Sequence, residues 1–204
     1  VCKWSSRPDS DGGRKYLGKK NHGGGVLILT QIGAITKNKC QDVFVRVIHE
    51  MKKRGHSVIG MMIGNTITEA DRKYKQSIDT YIREHGLEHD VYAPGFRSDI
   101  ADILAATDCV IVPSYEGLGL VAMEAMCAKT NVVAQECGGS NELMRAAKTG
   151  EMYTSNNSEE DIADAVVRVM NQPDDRLENG YRFCKQNSYK NYSKGLHGVF
   201  DCMT

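Results

Sequence analysis

The sequence predicts an α/β fold built on a doubly wound, mostly parallel sheet. Three observations carry this prediction. From Val26 onward, short apolar runs alternate with helical patterns, and strict βα alternation implies parallel strands joined by right-handed crossovers. Runs such as Cys109-Val110-Ile111-Val112 are short and β-branched, which suits strands buried on both faces. Glycines at Gly117, Gly119, Gly138 and Gly139 fall where strands hand over to helices, and there the chain must turn sharply or come close to a ligand.

The elements follow in order. Residues 1–25 are polar, glycine-rich and locally basic without a hydrophobic period, and read as a linker or cloning remnant. The sharper alternative is a basic arm for phosphate or lipid headgroups, with Trp4 and Tyr16 able to dock elsewhere. VLILT, starting at Val26, is the first strand, and Cys40 to Arg54 a helix with Val43, Phe44, Val47, Ile48 and Met51 on one face. Gly55 ends it. SVIGMMIG is a second strand, Glu69 to Glu84 a charged helix, and VYAPG a short third strand. Ser98 and Asp99 open a helix through Ala106, which leads to the strand at Cys109. NVVAQE forms the next strand, Gly138 and Gly139 a second close-approach turn, Asn141 to Lys148 a short helix, and EMYT an edge strand. Ser158 with Asp161 is a capping box opening a helix to about Met170. The divisions are therefore 1–25 linker, 26–172 folded domain and 173–204 polar helical tail. No internal repeat is evident.

Composition narrows the function classes. The 204 residues are 41% hydrophobic, enough for one well-buried domain. Lysine plus arginine equals aspartate plus glutamate at 26 each, so the whole chain offers no field for nucleic acid or an acidic membrane surface. No apolar run approaches the roughly 20 residues of a membrane span, and the start lacks a secretion signal's apolar core. The expectation is a soluble, cytoplasmic chain. The cysteines at 2, 40, 109, 127, 137, 184 and 202 are odd in number and contain no CxxC pair, which argues against a zinc site or a disulfide framework. Cys109 and Cys127 read as small core hydrophobes. His85 and His89 have a helical i, i+4 spacing, but Gly86 interrupts it and no third ligand is in view, so no metal is expected.

The chemistry is expected between Asp108 and Met126. Pro113 stops the ladder of the Cys109–Val112 strand, which places Glu116 at a strand's carboxyl end. Gly117 and Gly119 allow a sharp turn, after which Leu120, Ala122, Met123, Ala125 and Met126 are strong helix formers. The first N–H groups of that helix have no internal partner and carry the positive end of its dipole, a ready phosphate site. Glu124, eight positions after Glu116, can face the same crevice. Amides for an anion and carboxylates for sugar or ribose hydroxyls make a phosphate-plus-hydroxyl site. The bland alternative stays open, because any parallel α/β protein contains strand, glycine turn and helix, and an exposed Glu is usually just solvated.

These residues resemble the family-4 retaining glycosyltransferases of the GT-B fold, also described as glycosyl transferases group 1, specifically their C-terminal nucleotide-sugar-binding domain. The resemblance runs from about Val26 to Met170. It rests on the E-x7-E signature at Glu116 and Glu124, the GGSNEL segment at Gly138 to Leu143, the IGAITKNK phosphate loop at Ile32 to Lys39, and PGFRSDIADILAATD from Pro94 to Asp108. It implies that Glu124 accepts hydrogen bonds from the ribose hydroxyls and that Glu116 faces the donor sugar. The backbone at Gly117, Leu118, Gly119, Leu120 and Val121 would hold sugar hydroxyls and diphosphate. Gly33 belongs to the phosphate loop, where Lys39 neutralises charge as the leaving group departs, and Gly138 and Gly139 complete the donor site. Phe96 and Arg97 would lie near the base. Glu116 and Lys39 are thus the implied catalytic pair. A hexose-type sugar would pass with retention, without metal or cofactor, from a UDP or GDP sugar to a glycan, lipid or small-molecule acceptor.

Two departures from the family pattern matter. Ala34 stands where the family's arginine follows the loop glycine, and Lys37 is three positions away; this bears on turnover more than on fold. Asn141 replaces a proline of the GG segment, a change of turn preference. GT-B enzymes use two such domains, so the acceptor-binding domain is expected in another part of the protein or another chain, and membrane association only through that part. Two other readings remain, a non-catalytic docking subunit with a degenerate nucleotide fold and a UDP-sugar epimerase. A receiver domain would show an acidic cluster after VLILT, and a dehydrogenase GxGxxG there; neither is present.

Overall fold

The computed structural model describes residues 25–154, 158–173 and 175–187. The expected linker up to residue 24, with Trp4 and Tyr16, and the tail after residue 187 lie outside the described residues. Six strands make one sheet: β1 Leu27–Ile32, β2 Val58–Ile63, β3 Val91–Gly95, β4 Cys109–Val112, β5 Asn131–Gln135 and β6 Glu151–Tyr153. Their order is β3-β2-β1-β4-β5-β6, and every pairing is parallel. The helices are α1 Gln41–Lys53, α2 Glu69–Glu84, α3 Ile100–Ala106, α4 Leu120–Cys127, α5 Gly138–Ala147, α6 Glu159–Met170 and α7 Asp175–Gln186. This is the expected doubly wound architecture.

The pleat decides which helices cover which face. Leu29, Met62, Cys109, Ile111 and Val133 point to one side, where Phe44, Ile48 and Met51 of α1, Ile78 of α2 and Ile162 and Val166 of α6 close over them. Val110, Val112, Val132 and Ala134 point to the other, against Leu104 of α3, Ala122, Ala125 and Met126 of α4 and Met144 of α5. Ile28, Met61 and Ile63 extend this second face under Ile103. α7, from the segment expected as a tail, packs on α4 and buries Gly180 and Cys184.

The sheet reverses its winding between β1 and β4, which share only the register pairs Leu29↔Cys109 and Thr30↔Val110. Side chains reinforce this seam. Asp108 accepts from the Ile28 N–H at 2.8 Å while its own N–H donates to the Ile28 carbonyl at 2.9 Å. Thr107 Oγ donates to the Ile103 carbonyl at 2.8 Å and accepts from Thr30 Oγ at 2.7 Å. In open parallel sheets the crevice above such a reversal is where ligands bind.

Several boundaries differ from expectation. β1 begins at Leu27 and runs on through Gln31 and Ile32, so the strand delivers a polar side chain to the crevice. Gly138 and Gly139 are the first turn of α5, not a turn before a helix at Asn141. Glycine's low helix propensity hides the start; packing against the loop before α4 makes glycine necessary there. The Ser158–Asp161 capping box is present, and a second, Thr68 with Asp71, opens α2. Cys109 is buried as expected, and Cys127 is partly buried against the second core face, where the Cys184 thiol donates to the Met123 carbonyl at 3.5 Å.

Candidate functional site

The crevice between β1 and β4 is floored by strand ends and walled by two loops. The first leaves β1 at Gly33, whose N–H donates to the Ile63 carbonyl at 2.9 Å. Two buried glutamines then clamp the loop. Gln41 donates to the Ala34 carbonyl at 2.8 Å and accepts from the Thr36 N–H at 3.3 Å, while Gln31 donates to the Lys39 carbonyl at 2.5 Å. Between them Lys37–Lys39 form a 3-10 turn that ends at Cys40 in the left-handed region, φ 54°. Lys37 points outward on this turn; Lys39 turns inward.

The second loop leaves β4 through Pro113 and Ser114. Lys39 Nζ meets Glu116 Oε1 at 2.5 Å, and Ser114 Oγ donates to the same oxygen at 3.1 Å. Side-chain exposure of 32% for Lys39 and 16% for Glu116 makes this a half-solvated pair, and such pairs contribute about 0–1 kcal/mol to stability. Its value is positional: a cation and an acceptor are held side by side before any ligand arrives. Gln31, Lys39, Ser114 and Glu116 enclose a cavity of ≈ 10 Å³ above apolar strand ends.

Beyond Glu116 two helix starts interlock. Gly139 N–H donates to the Glu116 carbonyl at 2.6 Å. Gly119 has φ +63°, and a Cβ there would lie 2.6 Å from the Ser140 nitrogen; one at Gly138 would lie 2.4 Å from the Glu116 carbonyl oxygen. Only glycine fits this approach. Gly119 also caps α4 without a side-chain hydrogen bond, so the first-turn amides of α4 are left to solvent or an anion. Leu118 and Leu120 are exposed at this corner. Glu124, one turn into α4 on the same helix as the half-buried Val121, is itself half-buried, and desolvation raises its carboxyl above the ordinary carboxylate range.

A third loop follows β3. Phe96 is 73% exposed, and its N–H donates to Asn65 Oδ1 at 3.1 Å. Arg97 Nε donates to Asp99 at 2.8 Å, which diverts Asp99 from capping α3.

The structure thus puts Lys39 and Glu116 in contact, with Gly33 beside the Lys39 stem, where a Cβ would stand 4.0 Å from Lys39 Cδ. It brings Gly117, Leu118 and Gly119 against Gly138 and Gly139. Glu124 does not line the Lys39–Glu116 cavity, and Phe96 and Arg97 occupy a separate loop. Sequence reasoning missed Gln31, Gln41, Asn65 and the role of Ser114. One signal was readable: Gln31 is a long polar side chain in the strand LILTQI, an otherwise apolar run but for Thr30. Among the described residues, no group of three or more His, Cys, Asp or Glu is placed to hold a metal ion. α2 ends at Glu84, so His85 and His89 share no helix; the His85 ring stacks on Tyr81, centroids 3.9 Å apart, and approaches His49 at 4.6 Å. Nor is any helix among the described residues long and apolar enough to cross a membrane.

Known proteins share this fold. The family model described as glycosyl transferases group 1 matches residues 14–190. A D-inositol 3-phosphate glycosyltransferase of Corynebacterium aurimucosum is 32% identical over 173 residues, 82% of this chain and 39% of that protein. An alpha-D-kanosaminyltransferase of Streptomyces kanamyceticus is 28% identical over 150 residues, 72% of this chain and 37% of that protein. The chain therefore spans about two fifths of these relatives' length. The crystal structure of the C-terminal domain of a glycosyl transferase group 1 family protein (LpcC) from Francisella tularensis superposes with a TM-score of 0.68 at 26% identity, covering 79% of this chain and 85% of that one. Anabaena Alr3699/HepE, in complex with UDP and glucose, has a TM-score of 0.78 at 22% identity over 95% of this chain and 53% of that one, a likeness of fold. The family match over residues 14–190 spans both Ile32–Lys39 and Glu116–Glu124, and the chain belongs to the glycosyl transferases group 1 family, with the fold of a GT-B C-terminal domain.

Proposed function

We infer that residues 26–172 form the donor-binding domain of a retaining glycosyltransferase, which takes a hexose-type sugar from a UDP or GDP sugar. The observation that carries this reading is the Lys39–Glu116 contact at the switch point, beside the uncapped start of α4. A departing nucleoside diphosphate gains negative charge as the sugar–phosphate bond breaks, and preorganised cations and amides at that point lower the barrier without reorganisation. Lys39 supplies the cation, the first-turn amides of α4 the dipole, and Glu116 an acceptor beside the oxocarbenium-like sugar. Glu124 accepts from the ribose hydroxyls; desolvation makes its carboxylate a stronger acceptor once paired. Phe96 and Arg97 flank the base, and Gly138 and Gly139 hold the corner in place. The UDP and glucose bound by the Anabaena protein support a nucleotide-sugar donor. Ala34 stands where the family resemblance implies an arginine beside Lys39, so slow transfer is expected. The acceptor would bind a second domain outside these 204 residues, a reading supported by the chain's two-fifths share of its relatives.

Calorimetric titration with UDP and GDP tests the reading. One nucleotide should bind saturably, and Glu124→Ala should weaken it by about tenfold to a hundredfold, the worth of a hydrogen bond to a charged group. No binding of either at millimolar concentration would overturn the donor site.

A further inference from the structure

Gln31 sits at the penultimate position of β1 and is only 4% exposed. Its Nε2 group donates to the Lys39 carbonyl, which assigns the amide's orientation. Oε1 is then buried without a hydrogen-bond partner. A buried acceptor in that state costs about 1–3 kcal/mol, which offsets most or all of the roughly 1 kcal/mol net gain of the Nε2 bond to the Lys39 carbonyl. Fold stability alone does not explain a glutamine here. The same side chain lines the ≈ 10 Å³ cavity with Lys39, Ser114 and Glu116, roughly the space of one water or hydroxyl group.

On the donor-site reading above, we propose that Gln31 is a positioning residue that sets Lys39 against the distal phosphate and keeps its amide oxygen for a hydroxyl-sized donor entering with the nucleoside diphosphate. The Lys39 loop is held at its start by Gln41, on Ala34 and Thr36, and at its end by Gln31. Lys39 carries the ammonium at the far end of a flexible stem, so its aim depends on where the main chain is fixed. Removing the Gln31 clamp frees that main chain; the part-buried Lys39 carbonyl loses its donor while the orphaned acceptor leaves with the side chain, and the two changes offset, which spares the fold.

Gln31→Met keeps the length of the side chain and deletes both polar atoms; Gln31→Leu repeats the test with a second apolar shape. Both are titrated with UDP, GDP, UMP and GMP and unfolded in urea. Binding of the diphosphate should weaken about tenfold, one hydrogen bond's worth, and of the monophosphate less than about twofold. The urea midpoint should hold or rise. Equal weakening of diphosphate and monophosphate, or no weakening of either, would overturn the role of Gln31 while leaving the donor site standing. A midpoint that falls along with affinity would likewise reduce Gln31 to a structural residue. A parent chain that binds neither diphosphate would overturn the donor site and this role together.

Discussion

Glu124 is desolvated at a cost to the fold, on the helix proposed to start the donor site. Its carboxyl is desolvated, and its pKa is raised from the ordinary 4.5. The folded chain therefore holds this proton more tightly than the unfolded chain, and the associated stability is present below pH 4.5 and lost as pH rises through the folded value. Glu124→Gln should match the parent in acid and exceed it at neutral pH in urea unfolding, the difference opening upward from about pH 4.5; a difference independent of pH would contradict the desolvation. Lys39 is the opposite case, because its half-exposed pair adds little stability. Lys39→Met should leave the unfolding midpoint within about 0.5–1 kcal/mol of the parent. It should weaken nucleoside diphosphate binding by about tenfold or more and flatten its salt dependence. Both acids and the lysine were legible as residues, since motif and order single them out. Gln31 was not, since its meaning lies in one carbonyl and one cavity supplied by distant segments.

Among the elements, the junction of α4 and α5 is where local preference and tertiary demand disagree. Two glycines inside a helix's first turn argue against helix, and so the segment reads as a turn. Contact with Glu116 and Gly119 requires a chain without side chains there. Gly119→Ala combines a left-handed backbone with a Cβ 2.6 Å from the Ser140 nitrogen. It should cost about 2–4 kcal/mol in urea unfolding, from the backbone and overpacking terms together. A near-neutral result would mean that the two helix starts are not interlocked. The seam between β1 and β4 makes a second case. Asp108→Ala leaves the Ile28 N–H without its acceptor and should cost about 1.5–3 kcal/mol, read from the same unfolding curves. Capping boxes, by contrast, are local in both sequence and structure, and Ser158–Asp161 was readable in advance for that reason.

Among the described residues, Ile67, Phe96, Tyr115, Leu118 and Leu120, five of the seven exposed large apolar side chains, lie on the loops that follow β2, β3 and β4 or at the start of α4, on the crevice side of the sheet; the other two are Val26 before β1 and Tyr92 within β3. If the acceptor-binding domain is indeed elsewhere, the 204 residues should bind the nucleotide yet transfer sugar poorly to any acceptor; efficient turnover by this chain alone, assayed as release of UDP or GDP from the nucleotide sugar in the presence of acceptor, would sink the two-domain proposal. The sequence by itself determined the α/β class and the parallel sheet, because both depend on periodicity within a few residues. The spacing of strand, glycine turn and helix singled out Glu116 and Glu124, while the Ile32–Lys39 loop was picked out by its resemblance to a family motif. Tertiary structure alone decided that Lys39 and Glu116 touch, 77 residues apart, that Gln31 and Gln41 brace the loop between them, and that Glu124 is desolvated outside their cavity. Those facts depend on how far β1 extends, on the crossing of the chain at the switch point and on the close approach of two helix starts, and no local pattern encodes such distances.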